Sequence, residues 1–255
     1  MSAPPRFFLA EPPGKHPPRL LEGEALHALR VLRIRPGDPC IGIDGRGNSW
    51  PLRVVAAGRR DLGFEVTGPP EVEPEAGEPG APLPFIDVAV AFPRRPRAEE
   101  MCRRLTQLGA ARITPLLARQ TGPQGGPEQG DARWARLFQD ACKQSRRAWL
   151  PELAEACSPL ALSLARPGEG LALLEPGHGM SLDTWARSLV PSPEGLGTRR
   201  RPITLAIGPE GGFAEDERTA LLGRGATAVR VSPHVLRIET AAEAALAIAA
   251  GTWMR

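Results

Sequence analysis

The segment Ile203-Thr204-Leu205-Ala206-Ile207-Gly208-Pro209-Glu210-Gly211-Gly212-Phe213 decides how this chain is read. An apolar strand runs into a glycine-rich turn, and Glu215, Asp216 and Glu217 then open a helix at its positive end. Glycines in such a turn let the backbone approach a ligand closely. The turn is not a phosphate-cradling loop, which needs a Gly-Lys-Ser/Thr ending, nor a Gly-x-Gly-x-x-Gly dinucleotide fingerprint. Spacing alone leaves two readings open: a ligand-contacting loop, or a tight strand-to-helix turn with no ligand.

Working outward from this strand, the pattern alternates. Strands are predicted at 85–92, 112–116, 170–175, 203–207 and 229–231, with helices at 98–108, 131–145, 181–189, 215–222 and 240–253. Such alternation argues for a mainly parallel sheet covered by helices, with ligands at the strand C-termini. A second unusual loop, Val231-Ser232-Pro233-His234-Val235-Leu236-Arg237-Ile238-Glu239-Thr240, precedes the last helix. Thr240-Ala241-Ala242-Glu243 fits a capping box, which starts that helix at Thr240 and leaves Arg237 and Glu239 just outside it. The pair is open to two readings, a functional pair or a salt bridge tying down the loop.

The first 70 residues read differently. Leu26, Leu29 and Leu32 mark an amphipathic helix over 22–33 that Pro36-Gly37 ends, and short strands follow around Ile41, Trp50 and Leu62. This is the pattern of a small β-barrel. An acidic, Pro- and Gly-rich run over 71–80 has linker composition. The division is therefore a barrel over 1–72, a linker over 73–83 and an α/β domain over 84–255. Residues 1–70 carry ten Lys or Arg against seven acids, and 94–150 carry twelve against five, although the net charge is only +3. Arg30, Arg33 and Arg35 are candidates for phosphate contacts, with a merely solvated basic face as the alternative.

The four cysteines, Cys40, Cys102, Cys142 and Cys157, lie far apart, and the histidines show no ligand spacing, so no metal site is expected. The N-terminus lacks an apolar signal core and no stretch is long enough to span a bilayer, which reads as a cytoplasmic protein. His27 reads as a helix-surface histidine.

Taken together, Gly208-Pro209-Glu210-Gly211-Gly212 and Leu236-Arg237-Ile238-Glu239-Thr240-Ala241 resemble the signature loops of the RsmE family of ribosomal RNA uridine-N3 methyltransferases, members of the SPOUT class. The run of residues 27–33 followed by Gly37-Asp38 and Asp44-Gly45, with Gln107-Leu108-Gly109, Gln144-Ser145 and Leu174-Glu175, extends the resemblance over nearly the whole chain. It implies an N-terminal PUA-like RNA-binding barrel and a C-terminal domain with a deep trefoil knot. It also implies bent S-adenosyl-L-methionine as cofactor, methylation of uridine N3 in small-subunit (16S) ribosomal RNA, and an obligate homodimer. Chains generally avoid knots, and periodicity alone gives an open doubly wound sheet. Carried residue by residue, the cofactor loops are Leu174 and Glu175; Ile207, Gly208, Pro209, Glu210, Gly211 and Gly212; and Val231, Ser232, Val235 and Leu236. Arg237 and Glu239 match the polar pair near the transferred methyl, and Arg6 matches a basic substrate-entry residue.

This chain departs from the family pattern at Arg103-Arg104, at Gln107, at His234 where Arg is common, and at Ala214 where a capping Ser is frequent. Two competing readings remain: a SPOUT methylase of another RNA site, and a non-catalytic RNA-binding assembly factor. The intact glycine turn and the Arg237/Glu239 pair argue against the second. A nicotinamide dehydrogenase lacks both the fingerprint and its downstream acid. The alanines of the last helix, from Ala241 to Ala250, suit close approach of another helix, either across a dimer or inside one subunit.

Overall fold

The computed structural model describes residues 3–14, 16–21, 23–59, 61–121, 131–162, 169–177, 179–190 and 200–254. By internal contacts the chain divides into two units, Met1–Glu75 with Gln139–Leu150, and Ala76–Phe138 with Pro151–Arg255.

In the first unit, β1 (Arg6–Glu11), β2 (Arg19–Leu20), β3 (Pro39–Ile43), β4 (Asn48–Ala57), β5 (Leu62–Val66) and β6 (Glu71–Val72) form one sheet in the order β2-β1-β3-β4-β5, with β6 also paired to β4. Only β1 and β3 run parallel. Phe7, Leu9, Leu52, Val54 and Phe64 fill its core. The predicted helix over 22–33 is shorter and irregular: α1 (Glu24–His27) passes into a π-helical turn, Ala28–Leu32, and ends at Arg33. Leu32 is left exposed, because the wider turn rotates it off the face that the spacing of leucines defines.

The sequence division places residues 84–255 together, whereas the contacts group Gln139–Leu150 with the first unit. Cys142 packs with Phe8 and Ile43, and Leu150 joins them. Lys143 Nζ lies 2.6 Å from Glu24 Oε1, and Glu73 accepts from the Ala148 N–H at 2.8 Å. Among the described residues, only Arg33 and Arg146 combine a side chain with positive φ, at 54° and 63°. Left-handed backbone costs an L-residue about 1–2 kcal/mol.

The second unit is built on seven strands. They are β7 (Ile86–Ala91), β8 (Arg112–Leu116), β9 (Glu152–Leu153), β10 (Gly170–Leu174), β11 (Met180–Ser181), β12 (Ile203–Ile207) and β13 (Thr227–Arg230), in the order β11-β13-β10-β12-β7-β8-β9. Every pairing is parallel. All residues of β7 and β12 are buried, as expected for central strands covered on both faces. The helices are α2 (Arg95–Leu108), α3 (Ala132–Ser145), which passes into the first unit at Gln139, α4 (Leu182–Ser188), α5 (Glu215–Gly223) and α6 (Ile238–Trp253). Helix α6 lies on β12 and β7 and packs against α2 and α4. The other face is closed by Leu162, Leu221 and Phe213 over Ala89, Leu171, Leu173 and Ala206. No helix among the described residues is long and apolar enough to cross a membrane.

One polar cluster sits inside this sheet. Asp87, fully buried on β7, accepts from the Arg112 guanidinium at 2.7 Å and from Thr114 Oγ1 at 2.9 Å. Burial pushes the Asp87 carboxyl above its ordinary value, and the Arg112 contact opposes that shift only in part. Removing one partner of a buried pair strands the other charge. Arg112→Met is therefore expected to cost about 3–5 kcal/mol in denaturant melts, with Asp87→Asn added to it recovering part of the loss.

Candidate active site

Parallel pairing puts the C-terminal ends of β13, β10 and β12 side by side, although their residues are far apart in the chain. Leu174 is in register with Val229 on one side and Ile207 on the other, and the Glu175 N–H continues the ladder to the Val229 carbonyl at 2.9 Å. The three loops that leave these ends enclose a cleft of about 330 Å³. Its walls include Leu174, Glu175, Ile207, Gly208, Pro209, Glu210, Gly212, Val231, Ser232, Val235 and Leu236. Every residue expected in the cofactor loops is therefore there except Gly211. A Cβ on Gly211 would instead run into the side-chain amide of Gln120. The glycine whose conformation matters is Gly212, at φ 78°, in a turn where its N–H donates to Pro209 O at 2.8 Å. A Cβ on Gly208 would press on the Phe213 ring at 3.1 Å.

Pro176, Phe213, His234, Ile238 and Ala241 also line the cleft. The sequence reading had not included them, and Phe213 and Pro176 were accessible to it as direct neighbours of signature residues. The lining is mostly apolar with two carboxylates. Glu175 is held by the Arg218 guanidinium at 2.5 Å. Helix α5 starts at Glu215 with Ala214 as its cap residue; alanine offers no acceptor, but the Glu217 carboxylate takes the Ala214 N–H at 2.9 Å and the Arg119 N–H at 2.8 Å. That carboxylate thus fastens the glycine turn to the end of β8.

A second cleft of about 330 Å³ shares Pro209, Glu210 and Ile238 with the first and is otherwise lined by Phe92, Pro93, Arg94, Arg97, Gln120 and Thr121. It lies over the C-terminal ends of β7 and β8, the next strands in the sheet. Arg97 is the polar centre between the two clefts, 3.5 Å from Glu210 Oε1 and 3.4 Å from Glu239 Oε1. The Arg94-Arg95-Pro96-Arg97 run directly after a predicted strand was the signal that would have found it.

Helix α6 starts at Ile238, two residues before the expected Thr240, with Arg237 as cap residue and the Ala241 N–H donating to Arg237 O at 2.8 Å. Glu239 therefore lies in the first helical turn rather than outside it, because the backbone of Arg237 already closes that turn. Its side chain is 16% exposed, and its Oε2 atom is buried with no hydrogen-bond partner among the described residues. Arg237 is exposed and makes no ion pair with Glu239. The loop is not held by an Arg237–Glu239 salt bridge; the partner of Glu239 is Arg97.

The remaining residues singled out by sequence fall in the first unit. Arg30, Arg33 and Arg35 are exposed around the irregular end of α1. Arg6 starts β1, where its guanidinium donates to Arg146 O and to Ser49 Oγ at 3.2 Å. Among the described residues no group of three or more His, Cys, Asp or Glu is arranged to hold a metal.

Residues 80–250 match the family model of the RNA methyltransferase domain, and this defines the class of the protein as an RNA methyltransferase. The chain is 34% identical to ribosomal RNA small subunit methyltransferase E of Synechocystis over 87% of its own length and 69% of the relative's. It is 33% identical to the protein of the same name in Mycobacterium bovis, over 88% and 82%. The chain belongs to the ribosomal RNA small subunit methyltransferase E family. Its fold superposes with a TM-score of 0.74 on the Neisseria gonorrhoeae protein of that name, crystallised with S-adenosyl methionine, at 22% identity and covering 96% of each chain.

Gly212→Ala is expected to lower stability by about 1–2 kcal/mol in thermal or denaturant melts. Gly211→Ala should cost less, since the Gln120 side chain is free to swing aside.

Proposed function

We propose that the chain transfers a methyl group from S-adenosyl-L-methionine to N3 of a uridine in small-subunit (16S) ribosomal RNA, in the cytoplasm. The observation that carries this reading is the convergence of the three signature loops on one cleft, with the Arg97–Glu239 pair at its border. The cleft fits the cofactor in its chemistry. Its volume suits a small organic ligand, its apolar walls suit an adenine ring, and the Gly208–Gly212 turn brings backbone donors and acceptors to its edge. When bound there, the cofactor supplies an electrophilic methyl group on a sulfonium.

The protein's own task is to handle a proton and a charge. Uracil N3 carries a proton and attacks only after that proton leaves. Glu239 Oε2, buried and without a hydrogen-bond partner among the described residues, is an acceptor suited to that N3–H, while Arg97 holds the other oxygen. Arg237, exposed beside it with no competing partner among the described residues, offers a planar fork of donors to a uracil carbonyl on which negative charge gathers. The second cleft, bounded by Arg94, Arg97 and Gln120, is the place for the base itself. An anion attacking a sulfonium loses charge in the transition state, which suits the apolar Leu236 and Ile238 nearby.

The same reading makes residues 1–72 a PUA-like RNA-binding barrel, joined by a linker over 73–83 to a knotted SPOUT domain over 84–255 that acts as a homodimer. The knot is supported by strand order: β12 sits between β10 and β7, so the chain leaves it for β13 beyond β10 and returns with α6 over β12 and β7. Ala242, Ala245, Ala249 and Ala250 are consumed inside the subunit, but Ala241, Ala244 and Ala247 keep exposure along one stripe of α6, where a second copy has room to pack.

Calorimetry in chelator is expected to show cofactor binding without metal. In single-turnover methylation at saturating cofactor and RNA, Arg237→Ala should lose roughly 100-fold or more in rate with cofactor affinity nearly intact, and Glu239→Gln a comparable factor. Wild-type rates in both would exclude these roles. Mass mapping of nucleosides in ribosomal RNA from a strain lacking the gene should show one missing N3-methyluridine, and light scattering should report twice the 27.3 kDa chain mass.

A further inference from the structure

A third cleft, of about 370 Å³, lies wholly within the first unit, bounded by residues 3–6, Ile41, Lys143, Gln144 and Arg146. Three of its wall residues are cationic, but they are not equivalent. Lys143 is neutralised by Glu24 at 2.6 Å and Asp140 at 3.0 Å. Arg6 is half-buried and fixed in place by its bonds to Arg146 O and Ser49 Oγ. Burial pulls its pKa down, as does the charge of Arg146, against the opposing pull of Glu73 and Glu71. A guanidinium in that setting gains from an anion brought to it.

Arg146 is the telling residue. Helix α3 ends in a Schellman closure, in which the Arg147 N–H donates to Cys142 O at 3.0 Å and the Arg146 N–H to Lys143 O at 3.4 Å. Residue 146 is then the left-handed position of that motif, φ 63°, where glycine is the usual occupant because it lacks a Cβ. This chain places an arginine there, exposed and in the wall of the cleft. Arg33 repeats the pattern at the end of the α1 turn, so both strained side chains among the described residues are arginines of this unit. Disfavoured backbone retained under a charged side chain points to work done by that side chain.

We propose that Arg146, with Arg6 and Gln144, forms a subsite on the first unit for a backbone phosphate of the RNA substrate. The subsite rests on the RNA methyltransferase reading above. Arg146 supplies the reaching charge, Arg6 the anchored one, and the Gln144 amide an adjustable donor for a phosphate or sugar oxygen.

The test is the salt dependence of binding between the full-length protein and a small-subunit ribosomal RNA fragment that it methylates. Arg146→Gly should melt at the wild-type temperature or above it, because glycine relieves the backbone. It should nonetheless bind RNA about five- to eight-fold more weakly near 0.1 M salt, with the log–log salt slope shallower by about one. Arg146→Gln keeps the backbone cost and removes the charge, and should show the same shallower slope, whereas Arg146→Lys should keep the wild-type slope. The rate at saturating RNA should not change in any of the three. Unaltered slope and affinity in Arg146→Gly and Arg146→Gln, with RNA methylated normally, would overturn the subsite alone. Failure of the wild-type protein to bind or methylate the RNA would overturn the function proposed above.

Discussion

The candidate site depends on one constraint, the parallel hydrogen-bond ladder that holds β13, β10 and β12 as neighbours. Each of these strands ends in a loop that means little alone. The pairings of Leu174 with Val229 and with Ile207 bring Glu175, Gly208 and Val231 to one edge at one level. Since β12 is buried along its whole length, a one-residue slip would exchange its two apolar faces and move the glycine turn out of line with its neighbours. The buried Asp87–Arg112–Thr114 cluster adds a polar tie between β7 and β8 in the same sheet.

Polar groups near the clefts are arranged around carboxylates that each do a local mechanical task. Glu217 closes the first turn of α5 and takes the Arg119 N–H, Glu175 is clamped by Arg218, and Glu239 and Glu210 share Arg97. The cleft edge is thus stiffened by charge-assisted bonds while its walls stay apolar. Placement of Glu239 in the first turn of α6 gives its carboxylate the field of the helix N-terminus, and its second oxygen is an unmet acceptor among the described residues. The helix field favours the ionised carboxylate, whereas the unmet acceptor is costly in a resting protein and leaves Oε2 open to a hydrogen-bond donor.

The first unit has a different economy. Its core is a small sheet with few large side chains, and it recruits Gln139–Leu150 to complete it. Cys142 and Leu150 bring apolar surface, and Lys143 reaches Glu24. The recruited segment also carries Arg146, so completion of a core and presentation of a cation come from the same few residues.

Local chemistry made much of this legible in advance. The strand at 203–207, the turn after it and the acidic start of α5 are set by residues within a dozen positions of one another, and β8 and β10 were readable for the same reason. Where a neighbouring turn competes, local reading slips: the backbone of Arg237 starts α6 ahead of the Thr240 capping box, and a π turn breaks the leucine spacing of α1. What no local pattern carries is which strands adjoin and which distant side chains meet. Periodicity reports a residue's burial face, not its partner, so the pairing of Arg97 with Glu239, the absence of an Arg237–Glu239 bridge, and the return of residues 139–150 to the first unit were decided by tertiary packing alone. The sequence determined the elements and the chemistry at their ends; only the fold, through a ladder of non-local backbone bonds, decided which of those ends face one another.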